Sequence, residues 1–374
     1  MKKNLAGLIY TGEKTDRLRE LTVMRSLAAL PVLGRYRLID FLLSNMVNSG
    51  IKNVGIILQS NYNSLLDQIG SGREWDLHGK RSGMTLLPPF ATTDSSNSYA
   101  GLLDALKSNM NFLRRNEERY IAVSESSFLY SLHYEDMLKF HLDNNADITL
   151  AYTKDRDARR HGSGRYLGLD DAGVVTHIEV DPSLPRYGNT YIGVFLMRRE
   201  LLIDMVDRAT SQGLHHFTRE MLVKSLAQGY TKIMGYELDS KPFYIDTVEA
   251  YYKANMAALE PEIRKSFFTP ERPVWTKLRD EMPTQYSGES KVNNSLVADG
   301  CIIEGEVEDS VIFRGVTVRE GAKIKGCIVM QDSIIAKGAQ IENCILDKQT
   351  TVRENAKLSA TPGYPFVIPK NLTI

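Results

Sequence analysis

Two adjacent histidines, His215 and His216, and two cysteines seventeen residues apart, Cys327 and Cys344, are the first side chains whose types and spacing suggest chemistry. A histidine pair could ligate a metal ion or relay a proton. Neighbouring side chains diverge on a helix and on a strand, however, and no acidic cluster flanks these two. The pair reads better as the start of a helix running on through Phe217 and Thr218. The seven histidines all precede residue 261, so the C-terminal part of the chain lacks the general base that acyl transfer there would require. Three cysteines make an odd number and no two have metal-ligand spacing, which fits neither a disulfide framework nor a metal site. Stacked free thiols in a reducing cytoplasm fit them best. The charge run from Lys154 to Arg160 reads as a solvated loop.

These positions must be held by elements legible in the apolar pattern. Over the first 260 residues, short apolar runs (Leu5 to Tyr10, Val54 to Leu58, Tyr120 to Val123, Ile148 to Tyr152) alternate with helical stretches such as Leu38 to Ser49 and Ala100 to Arg115. That alternation predicts a Rossmann-like α/β domain over residues 1–260, a mostly parallel sheet with helices on both faces. Ligands of such sheets sit beyond the carboxyl ends of the strands. The opening MKKNLAGLIYTG is read as the first strand, not as a signal peptide or a membrane span. Pro261, Pro270, Pro273 and Pro283 punctuate residues 261–290, which read as a linker.

From residue 291 to 374 the rhythm changes. Aliphatic residues recur in steps of five and six, and three steps make seventeen, as in Val307, Ile324, Ile341 and Leu358. Such a hexapeptide rhythm predicts a left-handed parallel β-helix of about three coils. Lys+Arg and Asp+Glu both number 46, for a formal net charge of zero. No field of one sign is available to draw in nucleic acid or an anionic membrane.

The stretch from Arg17 to Ile51 carries YRLIDF (Tyr36 to Phe41), LSN (Leu43 to Asn45) and NSGI (Asn48 to Ile51). Gln59, Gly101 with Asp104 and Ala105, and TVEAYYKAN (Thr247 to Asn255) follow. Together with the C-terminal repeat, these residues resemble the ADP-glucose pyrophosphorylase (glucose-1-phosphate adenylyltransferase) family over nearly the whole chain. The resemblance implies a nucleotidyltransferase domain joined to a β-helix.

The departures from that family carry the functional reading. Its phosphate loop has the form G-G-x-G-[ST]-R-L. The corresponding stretch here is Gly12, Glu13, Lys14, Thr15, Asp16, Arg17, Leu18, with two glycines gone and two carboxylates added. Like charges ~4 Å apart repel by ~1 kcal/mol even in water, and by more near a protein surface. The family's R-A-K-P lysine corresponds to Leu27, after Arg25 and Ser26. Its catalytic, metal-binding aspartate corresponds to Ser127, in SSFLYSLHY; Glu125, displaced along the strand, is a poor replacement. The second metal aspartate falls at Tyr244, while a two-residue deletion would instead bring Asp246 into play. At the sugar-phosphate lysine, after Glu179, stands Asp181.

By resemblance, then, the chain is similar to the non-catalytic GlgD-type regulatory subunits of bacterial glycogen biosynthesis. This implies no intrinsic activity, no cofactor and no bound metal. It implies a weak vestigial nucleotide or sugar-phosphate site at Gly12, Arg17, Arg25, Gln59, Gly101, Asp104 and Glu179. Arg35, Lys52 and Lys370 are candidates for a sugar-phosphate or nucleotide effector. The implied partner is a catalytic ADP-glucose pyrophosphorylase subunit, in a cytoplasmic oligomer, a tetramer by family habit. The alternative is an active adenylyltransferase making ADP-glucose with Mg²⁺, with Asp94, Asp104 and Asp246 as rearranged ligands.

Overall fold

The computed structural model describes residues 4–13, 15–79, 82–89, 99–154 and 164–374. Asp94, His161 and all of the charge run after Lys154 lie outside the described residues. The run Leu5–Tyr10 (β1) is buried at every position, as a strand covered on both faces must be. It stands at the middle of a sheet with Val54–Ile57 (β2), Met84–Leu87 (β3) and Tyr120–Glu125 (β4), all parallel. Ile148–Thr153 (β5), Arg165–Leu169 (β6), Val175–Val180 (β7), Asn189–Arg198 (β8) and Ile233–Glu237 (β9) extend it. The order is β7-β6-β8-β4-β1-β2-β3, with β5 joining β8 to β9. The ten-residue β8 runs antiparallel to β4, β5 and β6, so the sheet is mixed but mostly parallel.

Successive strand residues point to opposite faces, and β1 serves two cores in this way. Ile9 packs with Leu42, Leu43 and Met46 of the helix Leu38–Asn48 (α1). Leu8 packs with Leu103 and Leu106 of the helix Leu102–Ser108 (α2). The helical stretch expected over Ala100–Arg115 is two helices, broken at Asn109 before Met110–Arg115. The Asn109 amide turns back onto the Ala105 carbonyl, the local side-chain bonding that makes asparagine a poor helix interior.

Residues 261–290, expected as a linker, hold more structure than their prolines imply. Pro261 does not break a helix; it opens Pro261–Phe267 from its first turn, where a missing N–H costs nothing. The chain then straps across α1. Trp275 N donates to Ser44 Oγ (2.9 Å), and Thr276 Oγ1 donates to the fully buried Asp40 (2.7 Å). Burial pushes the Asp40 carboxyl up to about 6, against the hydrogen bonds from Thr276 and Gln68.

The C-terminal part is a parallel β-helix of three five-stranded sheets. Val307, Ile324, Ile341 and Leu358 stack in register, and Cys327 and Cys344 lie buried as free thiols on neighbouring coils. The first coil has strands at Gln285–Tyr286, Lys291–Asn293 and Leu296–Val297, so it opens six residues before the expected start at 291. Gln285 steps by seventeen residues to Ile302, but the other two strands step by fifteen, as in Val292 to Val307 and Leu296 to Val311, so the seventeen-residue rhythm does not run through it.

The three faces differ in chemistry. One is a charge ladder in which Lys291 and Lys323 both reach Glu306, and Lys325 reaches Glu308. A second presents Ile302 and Ile334 outward. The third packs on the first domain: Val311, Phe313, Ile328 and Ile345 share a core with Leu21, Val32, Phe41 and Tyr251. Ile328→Ala should therefore cost about 2–5 kcal/mol and lower the melting of both parts together, measured by chemical and thermal denaturation. A loss confined to the β-helix would contradict the shared core.

Candidate functional site

A cavity of about 470 Å³ opens beyond the carboxyl ends of β1 and β4. Close packing fixes its backbone. A Cβ on Gly12 would come 2.2 Å from Gln59 Oε1, and one on Gly101 would come 2.5 Å from the His215 carbonyl. The backbone contact makes glycine necessary at 101, whereas a side chain at 12 would have to push aside the ends of Gln59 and Tyr10. His216 caps the N-terminus of a one-turn π-helix, Phe217–Leu222, and Glu220 accepts the His215 and His216 N–H groups. The histidine pair starts a helix, as its spacing implies, and His216, Phe217, Thr218 and Arg219 line the cavity.

Three guanidinium groups face this space, and each is held by a carboxylate of the same chain. Arg165 forks onto Glu125 with Nη1–Oε1 2.6 Å and Nη2–Oε2 2.5 Å, a bidentate pair that is mostly buried. Burial acts to strip the proton from Arg165, but the Glu125 charge outweighs it and holds the guanidinium protonated. Arg219 Nη2 donates to Asp181 Oδ2 at 2.7 Å, and Arg17 Nη1 to Asp246 Oδ2 at 2.8 Å. Asp181 is further fixed in a left-handed backbone conformation (φ 49°) by mutual hydrogen bonds with Gly164.

The remaining wall is uncharged or negative. Glu13 reaches into the end of β4, where the Ser126 backbone N–H and hydroxyl both donate to its carboxylate. Burial, and then the Glu125 charge, raise the Glu13 carboxyl to about 7. Leu27 supplies an apolar surface. Ser127 precedes a short antiparallel pair to which Tyr244 belongs, with the Tyr244 ring stacked on Phe128 at 4.6 Å between centroids and Ile245 N donating to the Ser127 carbonyl. Among the described residues, no three His, Cys, Asp or Glu side chains converge so as to hold a metal ion.

Comparison with known proteins assigns the chain to a family. Residues 6–261 match the model for nucleotidyl transferases, and residues 282–362 match that of the GlmU-like C-terminal hexapeptide. The chain is 32% identical over 321 residues to the glycogen biosynthesis protein GlgD of Bacillus subtilis, covering 86% of this chain and 82% of that protein. It is 32% identical over 333 residues to the glucose-1-phosphate adenylyltransferase of Bacillus cytotoxicus, and 31% to that of Bacillus mycoides, covering 88% of each chain in both cases. The chain belongs to the ADP-glucose pyrophosphorylase family. Within that family, similarity alone does not separate the two kinds of relative, because the GlgD protein and the adenylyltransferase are equally identical to it.

The magnesium ion and polyphosphate expected in an ADP-glucose pyrophosphorylase do not fit this set of residues. Magnesium takes oxygen ligands at 2.0–2.1 Å, carboxylates above all, and a hydroxymethyl and a phenol stand at Ser127 and Tyr244. Four of the five carboxylates that line the cavity are engaged, Glu125 by Arg165, Asp181 by Arg219, Asp246 by Arg17 and Glu13 by Ser126, and the fifth is Asp16.

The sequence-predicted residues divide in two. Gly12, Arg17, Leu27, Gly101, Ser127, Asp181 and Tyr244 line the cavity. Arg25 does not; it turns to the β-helix and pairs with Asp347. Gln59 stands behind Gly12, Asp104 accepts the Ala100 N–H, and Glu179 accepts the Arg186 N–H. Of the effector candidates, Arg35 lies against the Tyr36 ring, Lys52 lines a separate cavity at the opposite ends of the strands, and Lys370 is exposed beyond the last strand. Arg165 and Arg219 escaped the sequence reading, for neither sits in a motif. Their one signal is that buried carboxylates need counter-charges.

Glu13 gives a pH test. Its folded value lies above its ordinary 4.5, so the fold prefers the protonated form. The stability it contributes is present below 4.5 and falls as pH rises through about 7. Glu13→Gln should therefore gain stability relative to the native chain on going from acidic to mildly alkaline buffer, by urea denaturation. An unchanged difference between the two buffers would contradict the buried carboxylate.

Proposed function

We propose that this chain is a regulatory subunit of an ADP-glucose pyrophosphorylase, with a degenerate active site, modulating a catalytic homologue in glycogen biosynthesis. The reading places the nucleotidyltransferase-like domain at 1–260 and the β-helix domain at 291–374. The observation that carries it is the pairing of Arg17, Arg165 and Arg219 with carboxylates of the same chain. Adenylyl transfer depends on positioned cations and metal that take up the charge of the transferring phosphates. Here the cations are already paired, and an incoming polyphosphate would have to displace those carboxylates. The similarity to a protein named for glycogen biosynthesis agrees with this role.

A regulatory role requires a surface for the partner. Tyr286 and Val292 stack on Ile303 and Val307, which are 0% and 1% exposed, yet they themselves are 50% and 38% exposed. The core column of the β-helix thus runs out to an open first coil, an apolar end that a second subunit would cover. Docking there shifts the partner between less and more active arrangements through contacts that differ between the two. A tenfold change in apparent affinity needs ~1.4 kcal/mol of differential binding.

The test is to assay the chain alone and with the catalytic homologue. With ATP, glucose 1-phosphate and Mg²⁺, the isolated chain should turn over at least ~10²–10³-fold below the homologue. The co-purified complex should differ from the homologue alone in apparent affinity, and Tyr286→Asp should weaken the complex. Full turnover by the isolated chain would favour the active-enzyme alternative. The absence of any complex would sink the regulatory one.

A further inference from the structure

The second cavity, of about 960 Å³, lies at the amino-terminal ends of β1, β2 and β3, against the turn that follows the helix Met110–Arg115. β1 is six residues long, so about 20 Å of sheet separates this space from the first cavity. Its wall is held from behind. Asn53 Oδ1 accepts the Gly83 N–H at 3.2 Å, and Asn53 Nδ2 donates to Glu118 Oε1 at 2.5 Å. Arg199 donates from Nε to the Glu118 carbonyl at 2.8 Å and from Nη1 to the Leu113 carbonyl at 3.1 Å. Glu118 is thus fixed at its backbone and at one oxygen of its carboxylate.

Two polar atoms of residues on this wall are left over. Glu118 Oε2 and Asn116 Nδ2 are both buried, and neither has a hydrogen-bond partner. One is an acceptor without a donor, the other a donor without an acceptor. A buried polar group left unmatched costs about 1–3 kcal/mol, and such groups in a folded chain call for an explanation. Lys52 and Arg115 stand exposed at the rim. Unlike the cations of the first cavity, neither is paired with an acid among the described residues. Glu117 and Glu118 balance them in number, so the wall selects by hydrogen bonding and not by net charge.

A pair of adjacent hydroxyls answers both atoms at once. One hydroxyl donates to the carboxylate oxygen and its neighbour accepts from the amide, since every hydroxyl is both donor and acceptor. The bond to the carboxylate is the stronger, being charge-assisted. Gly50, Gly79 and Gly83 put no side chain in the way, and the volume is that of a small-molecule site. We propose that this cavity binds a polyhydroxylated small molecule of the sugar class, read through adjacent hydroxyls by Glu118 Oε2 and Asn116 Nδ2. The rim cations Lys52 and Arg115 extend the site to a phosphorylated form of the same sugar. The site is separate from the degenerate cavity and does not require the regulatory reading; loss of either leaves the other intact.

Ligand-observed saturation-transfer NMR on the full chain tests this, with glucose, glucose 6-phosphate and inorganic phosphate as probes. At least one of the two sugars should bind saturably in the millimolar range. Glu118→Gln and Asn116→Ala should each weaken that binding about tenfold, or ~1.4 kcal/mol. Arg219→Ala, in the first cavity, should leave it unchanged. Asn116 Nδ2 has no partner to lose, so without sugar Asn116→Ala should melt no lower than the native chain. That variant carries the test if Glu118→Gln does not fold. Binding of glucose would show that the hydroxyls suffice, and binding of glucose 6-phosphate alone that the rim cations take part. Three results would overturn the proposal: no binding of either sugar, binding that ignores both substitutions, or inorganic phosphate binding as tightly as glucose 6-phosphate, since the hydroxyls would then add nothing.

Discussion

Charge in a partly desolvated cavity has to be answered by charge, and the Arg165–Glu125 fork shows what answers it here. In a site built for polyphosphate, the guanidinium groups and a metal ion meet the ligand's oxygens. In this chain Glu125, Asp181 and Asp246 meet the guanidinium groups first. Glu13 adds a fourth carboxylate, pinned to Ser126 and raised toward neutrality. The cavity keeps its shape through Gly12 and Gly101 and has closed its charge ledger internally. The glycines and strand ends that shape the pocket also hold the sheet together, so its shape does not depend on what it binds.

The same device recurs at the domain junction, where Asp347 answers Arg25. The β-helix is thereby bound to the first domain by a shared apolar core and by a buried ion pair. Such a pair is a weak source of net stability, since desolvation offsets most of its attraction. Its effect is on geometry: removing either partner strands the other. The loop that carries Arg25 also carries Leu27 and, further back, Arg17, so the cavity wall and the junction are set by one segment. A change in how the β-helix sits would be felt at the cavity through that loop.

Much of the fold was legible in the sequence, for identifiable reasons. Runs such as Leu5–Tyr10 have no polar alternation and can only be buried strands, and the seventeen-residue stacking of Val307, Ile324 and Ile341 follows from spacing. The first coil was hidden because two of its strands step by fifteen residues and its opening strand, Gln285–Tyr286, carries no aliphatic residue, and Pro261 misled because proline is a breaker inside a helix but not at its start. In the cavity, residues adjacent to motifs (Leu27, Ser127, Asp181, Tyr244) were placed by alignment of short blocks. Arg165 and Arg219 come from a strand and a π-helix far apart in the chain, and Arg25 pairs across 322 positions. Partnerships at that range leave no trace in local pattern.

The central claim is that the cavity cations are already spoken for, and direct binding tests it without any partner. Titrating magnesium–ATP into the isolated chain by calorimetry should give no saturable heat at concentrations where an ordinary nucleotide site, with a dissociation constant of about 1 mM or tighter, would fill. Stoichiometric binding in the micromolar range would mean that the carboxylates yield to phosphate, and the closed-cavity explanation would be wrong.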